Sequence, residues 1–164
     1  MRPISYASLD AGLSKAGGFF QDVLLLIVRL WWGWSFFITG WGKLLNLDRT
    51  AAFFGELGLP LPQLNAAAAG GVECLGGLLL LLGLGSRAAS VPLAFTMLVA
   101  YATADREALG SIFSDPDAFT GAAPFLFLFA ALLVFAFGPG RYSVDALLAR
   151  RNRTAGAALK PQAW

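Results

Sequence analysis

The stretch 22–42 opens on Asp22 and thereafter holds a single ionisable side chain, Arg29, in an otherwise apolar run. A run of this kind leaves the chain few options. About 20 such residues cross the hydrocarbon core of a bilayer as a helix, and lipid offers no partner to a free backbone N–H or C=O. Three more apolar segments follow at 64–85, 88–104 and 122–138, so the four span roughly 17–22 residues each, within the usual range for a membrane helix. Composition closes off the soluble alternative. Hydrophobic residues make up 57% and charged residues 13% of 164, against about 25% charged in ordinary soluble domains. A chain this short has too much surface per unit volume to hide that apolar area from water. The predicted fold class is therefore all-α: an integral membrane four-helix bundle with short amphipathic interfacial helices. Arg2 and Lys15 before the first run resemble a signal sequence, but the run has full spanning length and ends in Trp41-Gly42-Lys43 with no small-residue cleavage site. The sequence predicts a retained helix.

The connections set the topology. Gly85-Ser86-Arg87 is a tight turn that makes the second and third segments antiparallel. The first loop, 44–63, contains a helical stretch at 48–57 with Asp48 as its expected cap and Gly58 and Pro60 as its stop. Phe53, Phe54 and Leu57 on that stretch should meet lipid or cover the mouth of the bundle. In the loop 105–121, Asp115-Pro116 signals a turn. The last span stops at Gly138-Pro139-Gly140, after which Ser143 can cap a short helix with Val144, Leu147 and Leu148 on one side and Arg150, Arg151 and Arg153 beyond. That helix reads as an amphipathic tail on an anionic membrane surface. The organisation expected is a cytoplasmic N-terminal segment at 1–20, a transmembrane domain at 21–151 and a disordered tail at 152–164. Arg2, Lys15, Arg87, Arg141, Arg150, Arg151, Arg153 and Lys160 fall on one side of the four spans, and Lys43, Arg49 and Arg106 on the other. The positive-inside rule then puts both termini in the cytoplasm of a multi-pass inner-membrane protein. The small net charge of +2 suits orientation in a membrane rather than nucleic-acid binding.

Two ionisable groups lie inside the spans, Arg29 and Glu73, and each costs about 2.5–3.5 kcal/mol at mid-membrane. Arg29, Gly33, Phe36, Gly40 and Lys43 recur at helical spacing and form one stripe; Gly70, Glu73 and Gly77 form another. Small residues on both stripes allow close helix approach. With Lys43 and Leu64 placed at the same boundary, Glu73 lies level with Trp34 and about 7.5 Å from the height of Arg29, within an arginine's reach, while Lys43 is about 13 Å away. A buried Arg29–Glu73 ion pair is the expected arrangement, either purely architectural or also binding a ligand or proton; the alternative is that Arg29 snorkels inward, Glu73 is protonated and no pair forms. Tyr101 and Asp105, one turn apart, either line a mouth or, for the tyrosine, sit in an aromatic belt. Cys74 in its apolar setting is read as inert. The chain has no histidine and one cysteine, which removes the usual haem ligand, the usual general base and any internal disulfide. No intrinsic cofactor and no metal site are expected.

Several short motifs occur in order: Arg29-Leu30-Trp31-Trp32-Gly33 with Gly40-Trp41-Gly42-Lys43, then Gly58-Leu59-Pro60, Glu73-Cys74-Leu75-Gly76-Gly77, Gly83-Leu84-Gly85-Ser86-Arg87, and Gly138-Pro139-Gly140-Arg141-Tyr142-Ser143-Val144-Asp145. Over 24–151 the chain resembles the DoxX family of small bacterial membrane proteins. The resemblance implies a four-helix membrane domain, with Arg29 and Glu73 at the family's landmark positions. It also implies an association with thiosulfate:quinone oxidation or with membrane oxidoreductase complexes. Family members often carry a histidine where this chain has Thr39, so histidine-dependent chemistry does not transfer. Three functions compete. The first is a quinone-linked component fed with electrons by a soluble or membrane redox subunit, with Arg29, Glu73 or Thr39 bonding the quinone. The second is a non-enzymatic scaffold. The third is a small-solute or proton-coupled transporter titrating at Glu73, which four spans could form only as a homo-oligomer.

Overall fold

The computed structural model describes residues 6–158, and over them the fold is all-helical, as the sequence predicts. Helix α1 (Tyr6–Leu45) runs for 40 residues, about 60 Å at the helical rise and twice the thickness of a bilayer core. It starts well before the predicted span: 6–21 holds no proline, so nothing there breaks the backbone ladder. Residues 12–21 are exposed throughout, so this part of α1 projects beyond the packed helices. Helix α2 (Leu47–Glu56) starts one residue earlier than predicted; Asp48 sits in its first turn and does not cap it.

Helix α3 (Pro62–Leu82) begins with proline at its first position, where the missing N–H costs nothing. It ends at Gly83, whose φ of 71° lets the Leu84 N–H donate to the Leu79 carbonyl at 3.0 Å. Gly85, at φ 56°, completes the turn into α4 (Ser86–Thr103). Both conformations are ones that a side chain would strain. The antiparallel α3–α4 pair therefore stands as expected, although α4 starts two residues before the predicted segment. Two short helices follow, α5 (Arg106–Gly110) and α6 (Pro116–Gly121), the second capped by Asp115, whose Oδ1 accepts from the Ala118 N–H at 3.2 Å. Helix α7 (Ala123–Phe137) stops at Gly138. Helix α8 (Val144–Ala158) starts under the predicted Ser143 cap, whose Oγ accepts from the Ala146 N–H at 3.1 Å. It continues to Ala158, past the start of the tail predicted at 152; the remainder of that tail lies outside the described residues, as do residues 1–5.

Helices α1, α3, α4 and α7 pack in a closed order: α1 on α3, α3 on α4, α4 on α7, and α7 back on α1, with α2 laid across α3. Their shared core is Phe36, Leu80, Leu93, Met97, Ala131 and Val134. The large side chains of α1 that the sequence placed off the glycine stripe, Trp31, Trp34, Ile38 and Trp41, are exposed on its outer face. Burying such rings in lipid is favourable, whereas exposing a row of them to water is not. By length and composition, α1 from Gly12 to Leu45 and α3 can each cross a membrane, while α7 is a shorter apolar helix.

The α1–α3 contact is made of backbone against backbone. A Cβ on Gly40 would lie 2.3 Å from the Cys74 nitrogen and 2.7 Å from the Gly70 carbonyl oxygen; one on Gly33 would lie 2.7 Å from the Leu81 nitrogen. Gly77 returns the contact onto the Phe37 nitrogen at 2.5 Å, and Gly76, on another face of α3, receives Leu93 of α4. These glycines set the register of everything that follows.

Candidate functional site

That register separates the two buried charges. Gly40 is level with 70–74 and Gly33 with 77–81, so Glu73 faces the last turns of α1 and Arg29 faces the far end of α3. The expected Arg29–Glu73 pair does not form. Matching the apparent ends of the segments, Lys43 with Leu64, puts Trp34 level with Glu73, whereas Gly40 packs against the backbone of Glu73 and Cys74. That is a displacement of about six residues, or roughly 9 Å.

Arg29 is 1% exposed and meets backbone carbonyls. Its Nε donates to the Leu80 oxygen at 3.0 Å, one terminal nitrogen donates to the Pro139 oxygen and the other to the Tyr142 oxygen at 3.0 Å. The planar fork of guanidinium donors suits three acceptors in a ring. The segment it holds is further stitched down. Asp22 Oδ1 accepts from the Arg141 N–H at 2.9 Å, and its Oδ2 pairs with Arg141 Nε at 3.2 Å. Asp145 Oδ1 and Oδ2 accept from the Gly85 and Ser86 N–H groups at 2.9 and 3.4 Å, capping α4 from across the chain. The negative charge of Asp145 also acts on Arg29. Arg29 is thus a structural clasp between α1, α3 and the α7–α8 loop.

Glu73 is 2% exposed, and both of its carboxylate oxygens accept from the ammonium of Lys43, which is 31% exposed. The ion pair sits at the wall of two cavities. The first, about 290 Å³, lies between α2, α3 and α4 and is mostly apolar, with Phe53, Phe54, Leu57, Val72, Phe95 and Met97 in its lining and Lys43 and Glu73 as its charged residues. The aromatic face of α2 therefore covers a mouth, one of the two alternatives the sequence allowed. Pro92, inside α4, also lines this cavity; with no N–H of its own it interrupts the α4 ladder on that side. The second cavity, about 200 Å³, lies in the seam between α1 and α7 and is lined by Thr39, Lys43, Glu73, Met97, Ala100 and Asp105 with the start of α7.

Of the residues singled out from sequence, Glu73, Lys43, Thr39 and Asp105 come together. Gly33, Gly40, Gly70 and Gly77 form the helix contact, and Phe36 is core at 0% exposed. Tyr101 belongs neither to an aromatic belt nor to either cavity. It is 1% exposed, its hydroxyl donates to the Phe119 carbonyl at 2.7 Å and its ring stacks on that of Phe119. The sequence pointed to Lys43 only as a lining residue, although the equal seven-residue spacing of Gly33–Gly40 and Gly70–Gly77 held the register that pairs it with Glu73.

The sequence is similar to those of known proteins. The DoxX family model matches residues 24–106, which include Arg29, Lys43, Glu73 and Asp105. A protein of Mycobacterium tuberculosis (strain ATCC 25618 / H37Rv) called "Uncharacterized membrane protein Rv3486" is 30% identical over 145 residues, covering 81% of this chain and 86% of that protein. A protein of Bacillus subtilis (strain 168) called "Putative oxidoreductase CatD" is 34% identical over 82 residues, 50% of this chain and 60% of that protein. No solved structure matches the chain significantly.

Proposed function

The chain belongs to the DoxX family of membrane proteins, and from that membership we propose that it is a quinone-binding component of a membrane oxidoreductase assembly, crossing the inner membrane four times with both termini in the cytoplasm. The observation that carries the reading is the Lys43–Glu73 pair at the wall of an apolar cavity. A ligand site is typically apolar over most of its wall, with a few polar groups that fix orientation, in a volume of about 300–1,000 Å³; the cavity between α2, α3 and α4 is close to the lower bound. A flat ring with an isoprenoid tail fits such a lining. Lys43 would donate to a ring carbonyl oxygen, Glu73 would hold the ammonium in place, and Phe53, Phe54 and Phe95 would pack on the ring and tail. When bound, a quinone supplies the electron-accepting chemistry. The chain itself has no histidine and one cysteine, so electrons would come from a partner subunit. The name of the Bacillus relative supports a redox setting in the same general sense.

The test is an organic extract of the full chain purified in mild detergent, assayed for quinone beside Glu73→Gln and the cavity-filling Ala69→Trp. Quinone in amounts comparable to the protein, depleted in both variants, is the expected result. Quinone no higher than in an unrelated membrane protein, or unchanged in both variants, would overturn the proposal.

A further inference from the structure

The Lys43–Glu73 pair borders both cavities, which also share Met97 and Ala100. The two differ in what leads to them. The first is bounded by the aromatic face of α2 and by Pro92, Phe95 and Thr96 of α4, and its only ionisable residues are Lys43 and Glu73 themselves. The second has Asp105 in its lining, and Asp105 also lines an open cleft at the protein surface with Thr103, Arg106, Glu107 and Ser111. A half-buried carboxylate is therefore shared by a polar surface cleft and a cavity whose lining also holds a second, fully buried carboxylate, Glu73. Thr39 adds a hydroxyl to the same cavity, donating to the Ser35 and Phe36 carbonyls at 3.0 Å and leaving its oxygen lone pairs available to water.

We propose that this second cavity is a water-accessible inlet, marked by Asp105, that carries protons from the α2 end of the molecule to Glu73, while the first cavity takes the apolar ligand from the bilayer. The relay runs from water in the surface cleft to the Asp105 carboxylate, then through water in the seam to a carboxylate oxygen of Glu73. The ammonium of Lys43 balances the negative charge of Glu73 before the proton arrives. Buried intramembrane carboxylates next to water-filled cavities are the usual components of proton paths. The proposal rests on the quinone reading only for what the protons serve: two-electron reduction of a quinone to its quinol, with electrons from the partner subunit, takes up two protons. The first cavity has no ionisable group leading from the pair to the surface, whereas the α1–α7 seam has Asp105.

The inlet is tested without any redox partner. In the full chain with Cys74→Ala, Thr39→Cys and Ala123→Cys report on the seam, Ala69→Cys on the first cavity and Trp34→Cys on the lipid-facing side of α1. Each is reconstituted in vesicles and treated with membrane-impermeant methanethiosulfonates of positive and of negative charge. The expected result is fast modification at Thr39→Cys and Ala123→Cys and little at Ala69→Cys or Trp34→Cys. Because Asp105 faces the seam, the cationic reagent should react at Thr39→Cys about tenfold faster than the anionic one, and Asp105→Asn should remove most of that preference. Thr39→Cys modified no faster than Trp34→Cys, or with no charge preference, would overturn the inlet. Quinone missing from the extract together with fast, cation-preferring labelling would refute the quinone reading and leave the inlet standing.

Discussion

Lys43 and Glu73 are unequally buried, and that inequality makes a sharp prediction. Glu73 is 2% exposed and Lys43 31%. Replacing Lys43 with Met strands a carboxylate in an apolar interior, and removing one partner of a buried pair costs about 3–5 kcal/mol. Replacing Glu73 with Gln strands an ammonium on a flexible stem close to the end of α1, which can extend to the interface. The loss is then mainly one hydrogen-bonding partnership, about 1 kcal/mol. In the double variant no charge is stranded, so its stability should resemble that of Glu73→Gln and exceed that of Lys43→Met by about 2–4 kcal/mol, the remainder of the burial penalty. Equilibrium unfolding of the full chain in mixed micelles measures all three. Two single variants of equal cost with an additive double would refute the reasoning, because it would mean that Glu73 draws no support from Lys43.

Other perturbations follow from the same geometry. Gly40→Ala drives a Cβ into the backbone of α3 and should cost at least about 1–3 kcal/mol, whereas Gly71→Ala, with nothing within 4 Å of its Cβ, should stabilise by up to about 1 kcal/mol; the same unfolding assay separates them. Arg29→Lys should fail to replace arginine. A single ammonium cannot reach the Leu80, Pro139 and Tyr142 carbonyls at once, and limited proteolysis between 138 and 143 should speed up. Asp145→Ala removes the acceptor for the Gly85 and Ser86 N–H groups and should cost about 0.5–2 kcal/mol, with hydrogen exchange at the start of α4 rising first.

Periodicity and apolar length made the four long helices legible, and Gly85-Ser86-Arg87 and Ser143 made a turn and a cap legible, because each depends on local chemistry. Pairing did not follow from them. Helix register depends on which glycines touch, and reckoning from segment ends placed Glu73 beside Trp34 when it lies near Gly40. The partners of Arg29 were hidden for a different reason. They are main-chain oxygens of Leu80, Pro139 and Tyr142, and every residue carries such an oxygen, so composition cannot show which ones converge. Tyr101 was misplaced because an aromatic ring near a helix end fits an interfacial belt and a buried stack equally well until Phe119 is brought over it by α6.

The Arg29 clasp also has a consequence in time. Its acceptors on Pro139 and Tyr142 lie 110 and 113 residues further along the chain, and even Leu80 lies 51 residues on. At about 5–20 residues per second, the guanidinium waits on the order of 5–20 s between its own synthesis and that of its last partners. Throughout that interval the guanidinium on the first helix lacks its carbonyl acceptors, which favours holding it near the headgroups. A chain stopped before Pro139 never supplies the last of them, so the nascent protein carries its own mark of incompleteness, and the α7–α8 loop removes it when synthesis is nearly done.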